Sequence, residues 1–246
     1  MIMAMRTPEF YAKRLLFPGL DLHTRSRYRF LPPFFQAGDI DTLDAGCGNG
    51  ALSYAAYRLG NRVLAISLDE TQILSNRAFF GRLGVDKDRF QFEIMNLYDL
   101  GTLKRRFDQI ICSETLEHIQ NERQIIEYFY KLLKPSGILH LCCPYALHSE
   151  HNINRMNVPE DGGHVRDGYT MGTYRNLLGP AGFEIIRSVG IGSPLVVILD
   201  RHLRLFRNRW GEVKAIPLFM VFFLPQLFDF MNPPTPYSLY VQARKL

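Results

Sequence analysis

Three glycines at alternate positions behind a carboxylate, Asp44-Ala45-Gly46-Cys47-Gly48-Asn49-Gly50, are the densest chemical signal in this chain of 246 residues. Glycine lacks a Cβ, so a loop with this spacing turns sharply and brings its backbone close to a ligand. A helix starting near Ala51 would point free amides at the same ligand. A second group of side chains moves protons near neutrality: His118, His148, His151 and His164, with Glu117 next to the first. Ser67, Asp69, Asn96, Ser113 and Glu114 follow apolar runs closely, where a hydroxyl, amide or carboxylate can bond a polar ligand.

Positioning such groups requires a scaffold, and its periodicity is legible. Apolar runs at Thr42 to Leu43, Val63 to Ile66, Phe90 to Ile94, Ile110 to Cys112 and Ile138 to Cys142 read as strands. Helix-length segments separate them, from Ala51 to Leu59, Glu70 to Leu83, Leu103 to Arg106 and Glu122 to Leu133. Strand-helix alternation with apolar strands predicts an α/β fold, a mostly parallel sheet with helices on both faces. Ligands then bind at the carboxyl ends of the strands. A polar loop from Tyr145 to Tyr169, a helix from Met171 to Ala181 and strands from Phe183 to Val189 and Tyr237 to Ala243 complete a seven-stranded sheet. Ahead of the core (40–143) lies an appendage, 1–39, with a helix from Pro8 to Leu16, a basic stretch and the Pro32-Pro33 break. A lid over 144–170 and an insertion over 190–236 are expected within one domain.

The pattern D-x-G-x-G-x-G after a first strand resembles the class I S-adenosylmethionine-dependent methyltransferase family. Ser113-Glu114-Thr115-Leu116-Glu117-His118-Ile119 resembles the E-x-L-E-H segment of its small-molecule and lipid branches, and Leu132-Leu133-Lys134-Pro135-Ser136-Gly137 its turn before the fifth strand. The resemblance covers about Ile40 to Cys143 and implies a Rossmann-like fold with S-adenosyl-L-methionine as cofactor. It gives Asp44, Gly46, Gly48 and Gly50 the methionine part of that cofactor. The family's ribose-binding acid is missing: Ser67 stands in its place, followed by Leu68 and Asp69, and Asp69 reads equally well as the N-cap of the next helix. A hydroxyl here resembles the cyclopropane-fatty-acid-synthase branch. Asn96 and Leu97 take the adenine positions, and Ser113 with Glu114 stand beside the cofactor. His164, in a His-Val-Arg run resembling bacterial members, is the first candidate base, ahead of His118 and Glu117; the latter two read equally as the start of a helix that bonds locally.

Other classes fit less well. A nicotinamide-dependent oxidoreductase would carry G-x-G-x-x-G, whose third glycine falls at Ala51. A non-catalytic module that only binds S-adenosylmethionine remains open because of Ser67. The net charge of +5 concentrates in Arg6 to Arg29 and Arg201 to Lys214, which suits anionic surfaces. No nucleic-acid-binding module and no N-P-P-[YF] motif is present, so nucleic acid is not the expected partner. Cys47, Cys112, Cys142 and Cys143 lack C-x-x-C spacing, so neither zinc nor a disulfide framework is expected and a reducing cytoplasm suits the chain. No secretion signal is expected at Met1 to Arg14. The basic stretch from Asp200 to Lys214 runs into the apolar, aromatic Ala215 to Phe230, broken by Pro217 and Pro225 and too short to span a bilayer. It suits peripheral contact of 200–230 with the inner face of a membrane, or a lipid-linked acceptor; an extra helical layer on the sheet is the alternative.

Overall fold

In each central strand successive side chains face opposite ways, so a run of apolar residues is stable only with cover on both sides. The computed structural model describes residues 8–148, 160 and 162–246. It has seven strands: β1 (Asp41–Ala45), β2 (Arg62–Ser67), β3 (Phe90–Ile94), β4 (Phe107–Ser113), β5 (Leu133–Pro144), β6 (Phe183–Ile191) and β7 (Ser238–Lys245). They form one sheet in the order β3-β2-β1-β4-β5-β7-β6. Only β7 runs antiparallel to its neighbours. Leu43 and Leu64 join one buried cluster with Ile125, Phe129 and Leu178. Their neighbours Val63 and Ala65 join the other, with Ala55, Ile73 and Phe80. Helices α3 (Ala51–Arg58) and α4 (Glu70–Leu83) supply the second cluster, and α5 (Glu122–Leu132) and α6 (Met171–Leu178) the first.

The order of strands reverses between β1 and β4, which opens a crevice at their carboxyl ends. Over that edge of the sheet sit the parts outside the core. Helix α1 (Pro8–Leu15) and α2 (Leu22–Phe30) come from the appendage, and α7 (Pro194–Trp210) and α8 (Glu212–Gln226) from the insertion. Leu20 and Leu22 pack against Val196, Leu203, Ala215 and Phe219. Polar ties reinforce the joint: Leu22 N–H donates to Asp200 Oδ1 at 2.9 Å, Gln226 Nε2 to Leu22 O at 2.7 Å, and Ser26 Oγ to Asp229 Oδ2 at 2.5 Å.

The expected helix from Leu103 to Arg106 does not form. Asn96 caps a short 3-10 turn at Leu97–Thr102 instead, accepting from Tyr98 N–H, and the chain then drops straight into β4. Four residues offer too few hydrogen bonds to offset helix nucleation. The basic stretch of the appendage is helical as α2, with Asp21 as its N-cap. Asp200 to Trp210 is the end of a longer helix that begins with Pro194 at its first turn, and Gly211 (φ 86) breaks it from α8, whose first turn holds Lys214. Asp200 is fully buried rather than part of a solvated face. Residues 149–159 and 161 of the expected lid, including His151, lie outside the described residues. Among the described residues no helix is long and apolar enough to cross a membrane.

Candidate active site

The glycine loop is stitched to the second strand, with Gly46 and Cys47 N–H both donating to Ile66 O at 3.0 and 2.9 Å. Each glycine has its own reason to be one. Gly46 (φ 85) lies against Thr115 and Gly50 (φ 76) against Phe80, so a Cβ at either would collide. Gly48 (φ 51) has open space where a Cβ would stand, and that space is the crevice. Asp44 is buried, and its Oδ2 accepts from Ser53 Oγ at 2.5 Å. Burial pushes its carboxyl up to about 6.

Two adjoining cavities share Gly46, Gly48, Gln72 and Glu114 and so form one cleft. The smaller, about 310 Å³, has Asp44, Ser113, Asn49, Thr24 and Arg27 in its walls. The larger, about 480 Å³, has Ser67, Leu68, Met95, Asn96, Leu97 and His118. Nine of the eleven residues expected to hold the cofactor therefore meet in one place. Gly50 supports the loop from below, and Asp69 is an exposed N-cap of α4 that accepts from Gln72 N–H at 3.0 Å. Ser67 Oγ accepts from Asp69 N–H at 3.2 Å and sits 3.4 Å from Gln72 Oε1. The Asn96 amide oxygen is engaged by Tyr98 N–H at 3.0 Å.

Glu114 occupies the centre of the cleft with a positive φ of 52, a conformation uncommon outside glycine and one that marks functional positions. Its N–H donates to Cys142 O at 2.7 Å, and Oε1 accepts from Ser238 Oγ at 2.9 Å. Oε2 lies 3.4 Å from Arg27 Nη1. Arg27 and Thr24 escaped the sequence reading because α2 reaches the cleft only through tertiary packing; the cationic run was the one signal available.

The three expected catalytic side chains also converge. His118 lines the cleft, and its Nδ1 lies 3.0 Å from Gly163 O. A carbonyl only accepts, so Nδ1 carries the proton. Nε2 then faces Glu117 Oε1 at 3.8 Å, and the His164 ring meets the His118 ring edge-on at 4.7 Å. Glu117 is fully buried, neither carboxylate oxygen finds a hydrogen-bond partner among the described residues, and burial, helped by the charge of Glu114, pushes its carboxyl well up. Ligand atoms of Glu117, His118 and His164 lie within 4.8 Å of one another, a nitrogen and oxygen donor set able to take a proton or a divalent cation. His148 is buried, its ring 5.5 Å from that of Tyr237. A further imidazole, His23 of α2, stacks on Tyr237 at 3.6 Å with its Nε2 3.7 Å from Asp200 Oδ2.

Residues 43–141 match the family profile described as a methyltransferase domain. That segment is a methyltransferase domain by this match, and it carries the whole of the glycine loop and most of the cleft. The chain is 37% identical over 127 residues to a ubiquinone biosynthesis O-methyltransferase of Xanthomonas axonopodis pv. citri, a match covering 50% of the chain and 52% of the relative. It thus spans about half the length of the curated relatives it matches. Its fold is similar to magnesium protoporphyrin IX methyltransferase of Synechocystis PCC 6803, solved with bound S-adenosylmethionine (TM-score 0.58, 16% identity, 92% of this chain and 80% of that one). It is equally similar to the [4+2]-cyclase SpnF (TM-score 0.61, 18% identity, 92% and 80%). One fold thus hosts different chemistries, and function has to be argued from the site.

Proposed function

We propose that the protein transfers a methyl group from S-adenosylmethionine to a small amphipathic acceptor with a lipid-like tail, at the cytoplasmic face of a membrane. The observation that carries the cofactor assignment is the two-part cleft across the strand-order reversal, with an unobstructed glycine at its waist. Each of its two parts falls within the size range of a small-molecule pocket. In this reading Arg27 and Asp44 hold the charged amino-acid end in the smaller part. Ser67, with Gln72 beside it, takes the ribose; Leu68 and Leu97 flank the adenine, with Asn96 at its edge. The sulfonium supplies an already activated methyl group, so the protein's main task is alignment. Glu114 stands where the two parts meet, fixed by Arg27 and Ser238. His118, whose Nδ1 is committed to Gly163 O, is the residue we assign to remove a proton from the acceptor through Nε2, and His164 and Glu117 pack against its ring.

Support for a tailed acceptor comes from a separate apolar cavity of about 380 Å³ between Leu16 to Leu20 and Val213 and Ile216 of α8. Asn49 lines both this cavity and the cofactor cleft. Similarity to ubiquinone biosynthesis O-methyltransferases supports a small-molecule acceptor as well. The four cysteines are unpaired and buried, in keeping with a reducing compartment. Calorimetry separates the readings of the cleft. Binding of S-adenosylmethionine and its demethylated product, with none of NAD, is expected; binding of NAD alone would transfer the site to the oxidoreductases.

A further inference from the structure

We propose that the outward face of α8 is a docking surface for an anionic lipid bilayer. The helix is apolar on both sides. Ala215 and Phe219 are buried against α2 and α7. The opposite side presents Val213, Met220, Val221 and Leu224 to solvent, at helical spacings of seven, one and three residues, and continues into Leu227 and Phe228. Val213 and Phe228, at the two ends, are each 79% exposed. Soluble surfaces seldom leave so continuous an apolar strip uncovered without a partner for it. No charged residue occurs from Ala215 to Phe228.

Cations lie at both ends of the strip. At the α7–α8 turn Trp210 is half exposed between two cations, with Arg209 5.4 Å and Lys214 5.6 Å from its ring. At the other end Arg29 of α2 donates to Leu227 O at 3.0 Å. Of the two acids that flank the strip, Glu212 is engaged by Arg207, and Asp229 is buried, accepting from Ser26 Oγ and Ser193 N–H. An apolar strip bounded by an indole and cations matches the layering of an anionic leaflet: the strip at the acyl boundary, the indole and cations among the headgroups. Charge selects this occupant over a second copy of the chain. A twofold pairing through α8 would bring Arg209 and Lys214 of one copy against the same residues or against Arg29 of the other, while the flanking acids Glu212 and Asp229 are already engaged within each copy. At 15 residues α8 is too short to cross a bilayer and lies along it. This deepens the reading of a lipid-like acceptor, but docking on lipid requires no turnover and is tested apart from it.

The test is co-sedimentation of the full chain with vesicles of phosphatidylcholine alone and of phosphatidylcholine with phosphatidylglycerol in equal parts. Binding to the mixed vesicles only is expected, and added salt should weaken it. The pair Met220→Asp and Leu224→Asp should weaken it at least about tenfold, and Arg209→Gln with Lys214→Gln several-fold. Calorimetry with S-adenosylmethionine on the same variants, unchanged from the parent, shows that they are folded. Equal sedimentation of parent and variants, or none by the parent, overturns the proposal. So does a parent that is dimeric by ultracentrifugation, with monomeric variants and no vesicle binding.

Discussion

Substituting alanine at Gly46 and at Gly48 separates the structural from the ligand-facing part of the loop. At Gly46 a Cβ would stand inside contact distance of three atoms of the Thr115 side chain, on a backbone with φ 85. Left-handed backbone costs a non-glycine residue about 1–2 kcal/mol and forced overpacking about 1–3 kcal/mol more. The Gly46→Ala variant is therefore expected to lose about 2–5 kcal/mol of stability in urea denaturation. Thr115→Ala removes two of the three colliding atoms and should restore part of that loss in the double variant. At Gly48 a Cβ meets nothing within 4 Å on a backbone with φ 51, so only the conformational cost of about 1–2 kcal/mol applies. Because that methyl projects into the cleft, the Gly48→Ala variant should lose at least about tenfold in affinity for S-adenosylmethionine by calorimetry. Equal stability of the two variants, or parental cofactor affinity for Gly48→Ala, would refute this division of roles.

Other consequences follow from single side chains. Arg27→Met should reduce cofactor affinity by about tenfold or more while leaving the fold intact, since a charge-assisted contact to a carboxylate is worth about 1.5–3 kcal/mol; unchanged affinity removes Arg27 from the amino-acid end. Burial lowers the His140 imidazole to about 3, and its ring nitrogens bond Tyr240 Oη at 2.8 Å and Gln109 Oε1 at 3.0 Å. A depressed imidazole binds fewer protons folded than unfolded, so its stabilisation is present above the unfolded value of 6.5 and fades as pH falls towards 3. Between pH 6.5 and about pH 5 the loss amounts to about 2 kcal/mol, and His140→Gln should flatten that part of the stability profile. Burial favours the uncharged form of the Glu117 carboxyl, so Glu117→Gln, which keeps the shape, is expected to cost less stability in urea denaturation than Glu117→Ala, which leaves a cavity; a larger loss for the glutamine variant would contradict this. His118→Gln should lower the rate of methyl transfer by about a hundredfold or more with cofactor affinity unchanged; parental turnover would assign the proton to another group.

Much of the core was legible because its signals are local. Gly46, Gly48 and Gly50 announce the loop by spacing alone, and the apolar runs of β2 and β3 are bounded within a residue or so by Arg62, Ser67 and Ile94. What was missed depends on partners distant in sequence. Helix α2 is poor in local helix signals, and its order comes from Asp200, Gln226 and Asp229, roughly 180–200 residues on. Arg27 could not be placed beside Glu114 for the same reason. Asp69 illustrates a different ambiguity: its position suits both a cap and a ribose contact, and the free amides of α4 claimed it. Asp200 belonged by sequence to a charged run, yet its carboxyl is buried at the joint between α2 and α7, where burial pushes it up to about 6.

The most direct test supplies the protein with S-adenosylmethionine labelled in its methyl group and with lipid, metabolite and RNA fractions of a cell extract. Label should appear in the lipid fraction, from the parent and not from Gly48→Ala. Label confined to the RNA or water-soluble metabolite fraction, or none in any fraction despite tight cofactor binding, would contradict the account.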